Sequence, residues 1–270
     1  MQTDNRGFLY GDGLFETIKV SNRRPFNLDN HYQRLHKGLK TLRLLDGQQS
    51  FSFNDFKLLL EQQIEHSSEA HLRIRLSFYR VQGGFYSPSQ TNFKVVAQCL
   101  PLPNSTFELN ERGLKIGLCQ SVKLVNDSLS SLKTISALSY VKAGIEKKEQ
   151  GWDDALLMNA QNALSESIAS NLFLIKKNQL FTPSLDQACV AGTMRALVLQ
   201  LLRNQNLSVQ EKPLSLDAIK QADSVFLTNA IQGIQWVAEL HDEALFTKNK
   251  LMVSLTNRLN QSLSSNNTSL

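Results

Sequence analysis

The residues best suited to covalent chemistry in this 270-residue chain are its lysines, and most of them sit in polar runs such as IEKKEQG, IKKNQ and FTKNK, where solvent holds the ammonium. Lys133 is the exception. In SSLKTISALSYV it is flanked by Leu132, Thr134 and Ile135 with small serines nearby, a setting in which desolvation would lower the amine's pKa and make it nucleophilic. A buried structural ion pair is the competing reading. Glu166, in ALSESIASNLF, has Ser165, Ser167 and Ser170 around it and Asn171 five positions on. Such a set can hold a carboxylate against a buried cation, or simply make a turn. Gly192 and Thr193 open the segment AGTMRALVLQLL; the free N–H groups of a first helical turn can hold a phosphate, although ordinary helix initiation uses the same residues. Thr228 and Asn229 close SVFLTN, and hydroxyl and amide groups at the carboxyl ends of strands often meet anionic ligands.

Other chemistries lack their residues. There is no H-E-x-x-H, no Walker-type loop and no strand-linked G-x-G-x-x-G, so metalloprotease, P-loop and Rossmann readings have no support. His31 and His36 lie five apart in a helical stretch, on different faces, and the remaining histidines show no ligand spacing, so no metal is expected. Cys99, Cys119 and Cys189 are odd in number and far apart, which argues against a disulfide framework or a zinc site and fits a reducing cytoplasm. The charge excess of +5 is spread along the chain instead of being gathered in a basic stripe, favouring small anionic molecules over nucleic acid. No apolar run approaches the ~18–20 residues that span a bilayer, and MQTDNRGFLYGDG lacks the pattern of an export signal. A cytoplasmic protein with no membrane partner is expected.

These residues need a scaffold, and the patterning supplies one of the α+β class. LFETIKV alternates like a strand, NRRPFN offers turn chemistry, and Leu28, Tyr32, Leu35, Leu39, Leu42 and Leu45 then follow helical spacing with Asp29 or Asn30 as a cap. A helix over Phe53–Glu65 and strands at HLRIRLSFYRV and NFKVVAQCLPL, joined through GGFYSPSQ, complete a small N-terminal domain over residues 1–105. PLPNSTFELNER marks a boundary. The second domain, residues 106–270, is expected to hold the strand LKIGLCQSV, a helix LSYVKAGIEKKEQG stopping at Gly151, and short strands through DDALLMNAQNALSESIASNLFLIKKNQLFTPSL. Helices at AGTMRALVLQLLRNQ, at SLDAIKQA and near the C-terminus follow, with the strand SVFLTN among them and the polar tail QSLSSNNTSL frayed.

Taken in order, NRGFLYGDGLFETIKV, LDNHYQRLHKGL, SLKTISALSYV, SESIASNLF, FTPSLDQACVAGTMR and SVFLTNAIQGIQWV resemble the class IV pyridoxal-phosphate aminotransferases. This fold type IV family contains branched-chain aminotransferases, D-amino-acid aminotransferases and 4-amino-4-deoxychorismate lyase. The resemblance covers nearly the whole chain. It implies a two-domain α+β protein, small at the N-terminus and larger and barrel-like at the C-terminus, that forms a homodimer and acts on a small molecule through pyridoxal 5'-phosphate. Carried over by position, it makes Lys133 the Schiff-base lysine and Glu166 the partner of the pyridine nitrogen. Arg34 becomes a ligand of the phosphate together with Gly192, Thr193 and Thr228, and Asn229, with Ala230 and Ile231, lines the site.

Within the family, TNAIQGIQWV and RVQGGFYSP look most like the lyase group. That group's reaction implies exchange of Lys133 for the substrate's ring amine, removal of the adjacent ring proton by the freed lysine, and elimination of pyruvate to leave 4-aminobenzoate for folate synthesis. An aminotransferase acting on branched-chain or D-amino acids with 2-oxoglutarate would share every cofactor residue and differ only in the substrate wall. The GGFY loop lacks the arginine expected there, leaving Arg80 as the nearest guanidinium.

Overall fold

A computed structural model describes residues 5–45 and 50–264, and the chain divides into two compact units. Of the described residues, the first comprises those up to Ser105 together with Leu132–Ala137, the second Thr106–Ser131 together with those from Leu138 onward. Leu132–Ala137 therefore does not group with the second domain as its sequence position suggested. The reason is main-chain pairing: Phe15 N–H donates to the Lys133 carbonyl at 2.9 Å and Ile135 N–H to the Gly13 carbonyl at 3.0 Å, while Leu132 is buried in the first unit's core.

The first unit runs α1 (Arg6–Tyr10), β1 (Gly13–Ser21), β2 (Arg24–Pro25), α2 (Leu28–Thr41), α3 (Phe53–Glu65), β3 (Leu72–Arg80) and β4 (Phe93–Pro101). Its described residues form an antiparallel sheet in the order β2-β1-β3-β4. Strand β3 alternates strictly, burying Leu72, Ile74, Leu76 and Phe78. The register sets these opposite Val20, Ile18, Glu16 and Leu14 of β1, and α2 and α3 cover that face with Leu35, Leu39, Phe56 and Leu60. One member of this otherwise apolar row is the carboxylate Glu16, and that placement matters below. Helix α3 has the expected bounds and begins with a reciprocal capping box between Ser52 and Asp55. Helix α2 is capped differently from expectation. Its N-cap is Asn27, in the left-handed region at φ 58°, and Asn30 donates its side-chain amide to Asn27 Oδ1 instead of capping the helix itself.

The second unit contains β5 (Leu114–Leu124), α4 (Leu138–Gln150), β6 (Asp154–Asn159), β7 (Leu164–Ser167), β8 (Asn171–Lys176), β9 (Gln179–Thr182), α5 (Thr193–Arg203), β10 (Val209–Glu211), α6 (Leu216–Lys220), β11 (Ser224–Asn229), β12 (Gly233–Leu240), β13 (Ala244–Leu245) and α7 (Lys250–Ser264). Its described strands form one mixed sheet, ordered β10-β9-β8-β11-β12-β5-β6-β7 with β13 beside β12, and curled into a half barrel. The β8–β9 hairpin turns through Lys177 and Asn178, both at positive φ, the geometry a two-residue hairpin turn requires. Strand β12 was not foreseen, because Gln232, Gln235 and Trp236 break its apolar run; it buries Gly233, Ile234, Val237 and Leu240 while its other residues are only partly covered. Helix α7 extends through QSLS of the expected frayed tail, and the remainder lies outside the described residues.

Candidate active site

In the first unit, the segment carrying Lys133 is added to the edge of β1 by the two backbone bonds above and an isolated bridge between Leu14 and Thr134. Lys133 is half-buried, with Nζ 4.7 Å from the centroid of the Phe15 ring. An aromatic face attracts a cation without holding a counter-charge against it. Arg34, one turn after His31 on the buried face of α2, donates from Nε to Glu16 Oε1 at 2.8 Å and from Nη2 to Oε2 at 2.5 Å, a bidentate fork. His31 Nδ1 meets Glu16 Oε2 at 2.6 Å. Burial works to raise the Glu16 pKa, but the Arg34 and His31 partners overrule it and hold the carboxyl at about 2. Burial also pushes His31 below its ordinary value, against the pull of Glu16, so the imidazole is neutral and donates its Nδ1 proton.

The two guanidiniums nearest the GGFY segment have structural tasks. Arg80 is buried and donates to Asp12 Oδ2 and to the carbonyls of Leu42, Arg43 and Gln90. Arg6, also buried, pairs with the same Asp12 and caps the carbonyls of Gly83, Gly84 and Phe85 from one nitrogen. Arg80 is thus engaged in fixing this segment.

In the second unit, Glu166 points from β7 into a buried ring of donors and is 4% exposed. Tyr140 Oη of α4 donates to its Oε1 at 2.6 Å, while Asn171 Nδ2 of β8 (3.2 Å) and the Val190 amide (3.1 Å) donate to Oε2. All three are neutral donors, and together they fix the plane of the carboxylate. Burial and the Glu166 charge push the Tyr140 phenol far above its ordinary range, and the same causes push the nearby Cys189 thiol up to about 12. Both stay protonated at any working pH.

Gly192 is the N-cap of α5 and makes no side-chain cap, and Thr193 begins the helix buried. A Cβ at Gly192 would lie 1.8 Å from Asn171 Oδ1, so glycine here is a packing requirement tied to the Glu166 ring. Thr228, in β11 between Asn171 of β8 and Ile234 of β12, is 1% exposed, and its Oγ1 has no hydrogen-bond partner. A buried hydroxyl without a partner costs free energy, and such a group in a native fold needs an explanation. Asn229 behaves otherwise than its expected cofactor contact. Its amide donates to Ser170 Oγ and Gln232 Oε1, and its Oδ1 accepts from Ile231 N–H and Gln232 N–H. Two donors and two lone pairs are the full capacity of a primary amide, so the Asn229 side chain is committed to the turn after β11.

Sequence reasoning missed Tyr140 as a functional group; its only signal was its place seven residues after Lys133, at the start of a helix. Among the described residues, one acidic group, Glu239, His241 and Asp242, brings ligand-type atoms within 4.8 Å of one another. Glu239 there is already paired with Lys115 at 3.1 Å. No described helix is long and apolar enough to cross a membrane.

The α+β architecture with its mixed sheet curled into a half barrel matches that of the fold type IV enzymes. Residues 13–240 match the model of the amino-transferase class IV family, and the chain belongs to that family. Aminodeoxychorismate lyase of Vibrio harveyi is 30% identical over 233 residues, 85% of this chain and 83% of its own length. D-alanine aminotransferase of Bacillus licheniformis is 24% identical over 244 residues, covering 90% and 83%. The crystal structure of 4-amino-4-deoxychorismate lyase from Pseudomonas aeruginosa gives a TM-score of 0.84 at 26% identity, over 98% of this chain and 96% of that one.

Enzymes of this family depend on pyridoxal phosphate, and the second unit has features that fit it. The unpartnered Thr228 hydroxyl and the start of α5, where Gly192 supplies no side-chain cap, are suited to a phosphate, and the Glu166 ring suits a protonated ring nitrogen.

Proposed function

We propose that this enzyme is an aminodeoxychorismate lyase, converting 4-amino-4-deoxychorismate to 4-aminobenzoate and pyruvate. The observation that carries this reading is the 30% identity to the Vibrio harveyi lyase across 85% of the chain. Bound pyridoxal phosphate supplies an electron sink for the bonds broken next to the substrate's amine. Lys133 would hold the cofactor through Nζ, and its amine, when free, would be the base for the proton on the ring carbon next to the substrate's amine. Glu166 would accept a charge-assisted hydrogen bond from the protonated ring nitrogen. The amides of Gly192 and Thr193 and Thr228 Oγ1 would hold the phosphate, and Arg34 is proposed as a further ligand, because a dianion removed from water needs several donors. Glu16 is the counter-charge that holds the Arg34 fork in one orientation.

The test pairs two assays on cofactor-loaded protein. With 4-amino-4-deoxychorismate, 4-aminobenzoate and pyruvate should form in equal amounts; with D-alanine or L-leucine and 2-oxoglutarate, glutamate should be scarce. Glutamate formation without 4-aminobenzoate would reject the lyase reading in favour of an aminotransferase, for which the Bacillus licheniformis relative speaks, and would leave the cofactor roles standing. Borohydride reduction followed by peptide mapping should place the pyridoxyl group on Lys133, and label on another lysine would reject that assignment. The reading also makes the enzyme a homodimer. Leu138, Val141 and Ile145 form an exposed apolar stripe on one face of α4, and Val141→Glu should shift the sedimenting species toward monomer if that stripe is covered by a second copy.

A further inference from the structure

We infer that Tyr140 is a positioning residue for Glu166, its hydroxyl fixing the carboxylate as an ionised acceptor for the cofactor's ring nitrogen. The inference rests on the Glu166 assignment proposed above. Tyr140 has two separable parts. Its ring packs against the apolar cluster that includes Cys119, Val122, Leu157 and Ala188, and a phenylalanine would serve that purpose equally. The hydroxyl is what packing does not explain: it lies 2.6 Å from Glu166 Oε1, at the short end of O–H···O distances, where a charged acceptor is involved.

The other two donors, Asn171 Nδ2 and the Val190 amide, both reach Oε2 and at longer range, 3.2 and 3.1 Å. Two bonds to one oxygen leave the carboxylate able to swing about it; a third on Oε1, from a different element, fixes the plane. Hydrogen bonds to the ionised form of an acid also favour that form, and a carboxylate that is a weaker base leaves the shared proton on the ring nitrogen. Because the phenol remains protonated at all working pH, it is a permanent donor, and the other titratable neighbour, Cys189, adds no change of charge. Without the hydroxyl, Glu166 becomes more basic and draws the proton toward itself, weakening the electron sink.

The experiment uses holoenzyme loaded with pyridoxal phosphate carrying nitrogen-15 in the ring, comparing the parent with Tyr140→Phe and Glu166→Gln. In Tyr140→Phe the ring-nitrogen resonance should move part of the way from the protonated toward the unprotonated position, and the cofactor Kd should rise by up to about tenfold, the equivalent of one hydrogen bond to a charged group. Glu166→Gln should move it further. A resonance that stays put in Tyr140→Phe while Glu166→Gln shifts it overturns the role of Tyr140 and leaves that of Glu166. A resonance unmoved in both overturns the Glu166 assignment and this inference with it. Should Tyr140→Phe fail to fold, 4-aminophenylalanine at position 140, which keeps the shape but is a weaker donor, should move the resonance the same way by a smaller amount, and no movement would again overturn the proposal.

Discussion

Replacing Gly192 by alanine separates a steric effect from a conformational one. Gly192 has φ −64° and ψ 133°, a region open to any residue, so the backbone itself gives no reason for glycine. The obstacle is Asn171, whose Oδ1 would lie 1.8 Å and Cγ 3.0 Å from the new Cβ. Asn171 can yield only by rotating its amide, and the rotation breaks its bonds to Glu166 Oε2 at 3.2 Å and to the Val190 carbonyl at 2.9 Å. The first has a charged acceptor and is worth about 1.5–3 kcal/mol, the second about 0.5–1.5 kcal/mol, so the total loss is about 2–4.5 kcal/mol. For a unit of roughly 150 residues each kcal/mol corresponds to a Tm change of about 2–4 °C, so the transition should fall by about 5–15 °C. Cofactor binding should weaken at least tenfold at the same time, because the Glu166 ring has lost a member. Gly144→Ala is the control: it lies inside α4 with nothing within 4 Å of the added carbon, and should stabilise by about 0.5–1 kcal/mol through helix propensity and unfolded-state entropy. Calorimetry and a cofactor titration on both variants decide the matter. A Gly192→Ala protein that melts within 1 °C of the parent, as judged against ~2 kcal/mol expected, and binds the cofactor normally would refute the coupling of Gly192 to Glu166 through Asn171.

Acid should weaken the first unit in two windows. His31, whose folded pKa is lowered, protonates in the unfolded chain first, so stability should begin to fall as pH drops below 6.5; Glu16, held at about 2 against a usual 4.5, contributes stability present above 4.5 that disappears between 4.5 and 2. The second window should amount to about 3 kcal/mol and vanish in Glu16→Gln, as followed by denaturant melts across pH; a parent-like acid profile in that variant would reject the assignment. Arg6→Ala should free the carbonyls of Gly83, Gly84 and Phe85, and chymotrypsin should then cut at the exposed Phe85 and Tyr86 about tenfold faster; unchanged cleavage would show that the segment is held by other contacts.

Local patterning accounts for much of the fold. The alternation in LRIRLSFYR, the helical spacing from Leu28 to Leu39 and the bounds of α3 are properties of neighbouring residues, and period and capping can be read without knowing what packs on top. Strand β12 was harder because it is covered on part of its surface only, so its polar residues interrupt the pattern. The same limit applies to Glu16, which sits in a row that patterning alone would fill with an apolar residue. Its acceptance there depends on two α2 side chains fifteen and eighteen positions away.

By itself, the sequence determined the candidate chemistry of the enzyme: a lysine in apolar company, a glutamate among small hydroxyl residues, a glycine opening a helix and a threonine closing a strand. Residue type and immediate neighbours are enough to nominate such groups, because they set which protons and charges are available. Tertiary structure alone decided how each group's bonding capacity is filled. Glu166 takes its donors from Tyr140 twenty-six residues before it and Val190 twenty-four after, Asn229 is saturated by Ser170 and its own turn, and Arg80 is occupied by Asp12 and three carbonyls. Thr228, identical in kind to many buried threonines, is distinguished only by having no partner. Hydrogen-bond capacity is finite and is filled by whichever partners the fold brings within about 3 Å, and that proximity is a property of chain topology that no local run of residues contains.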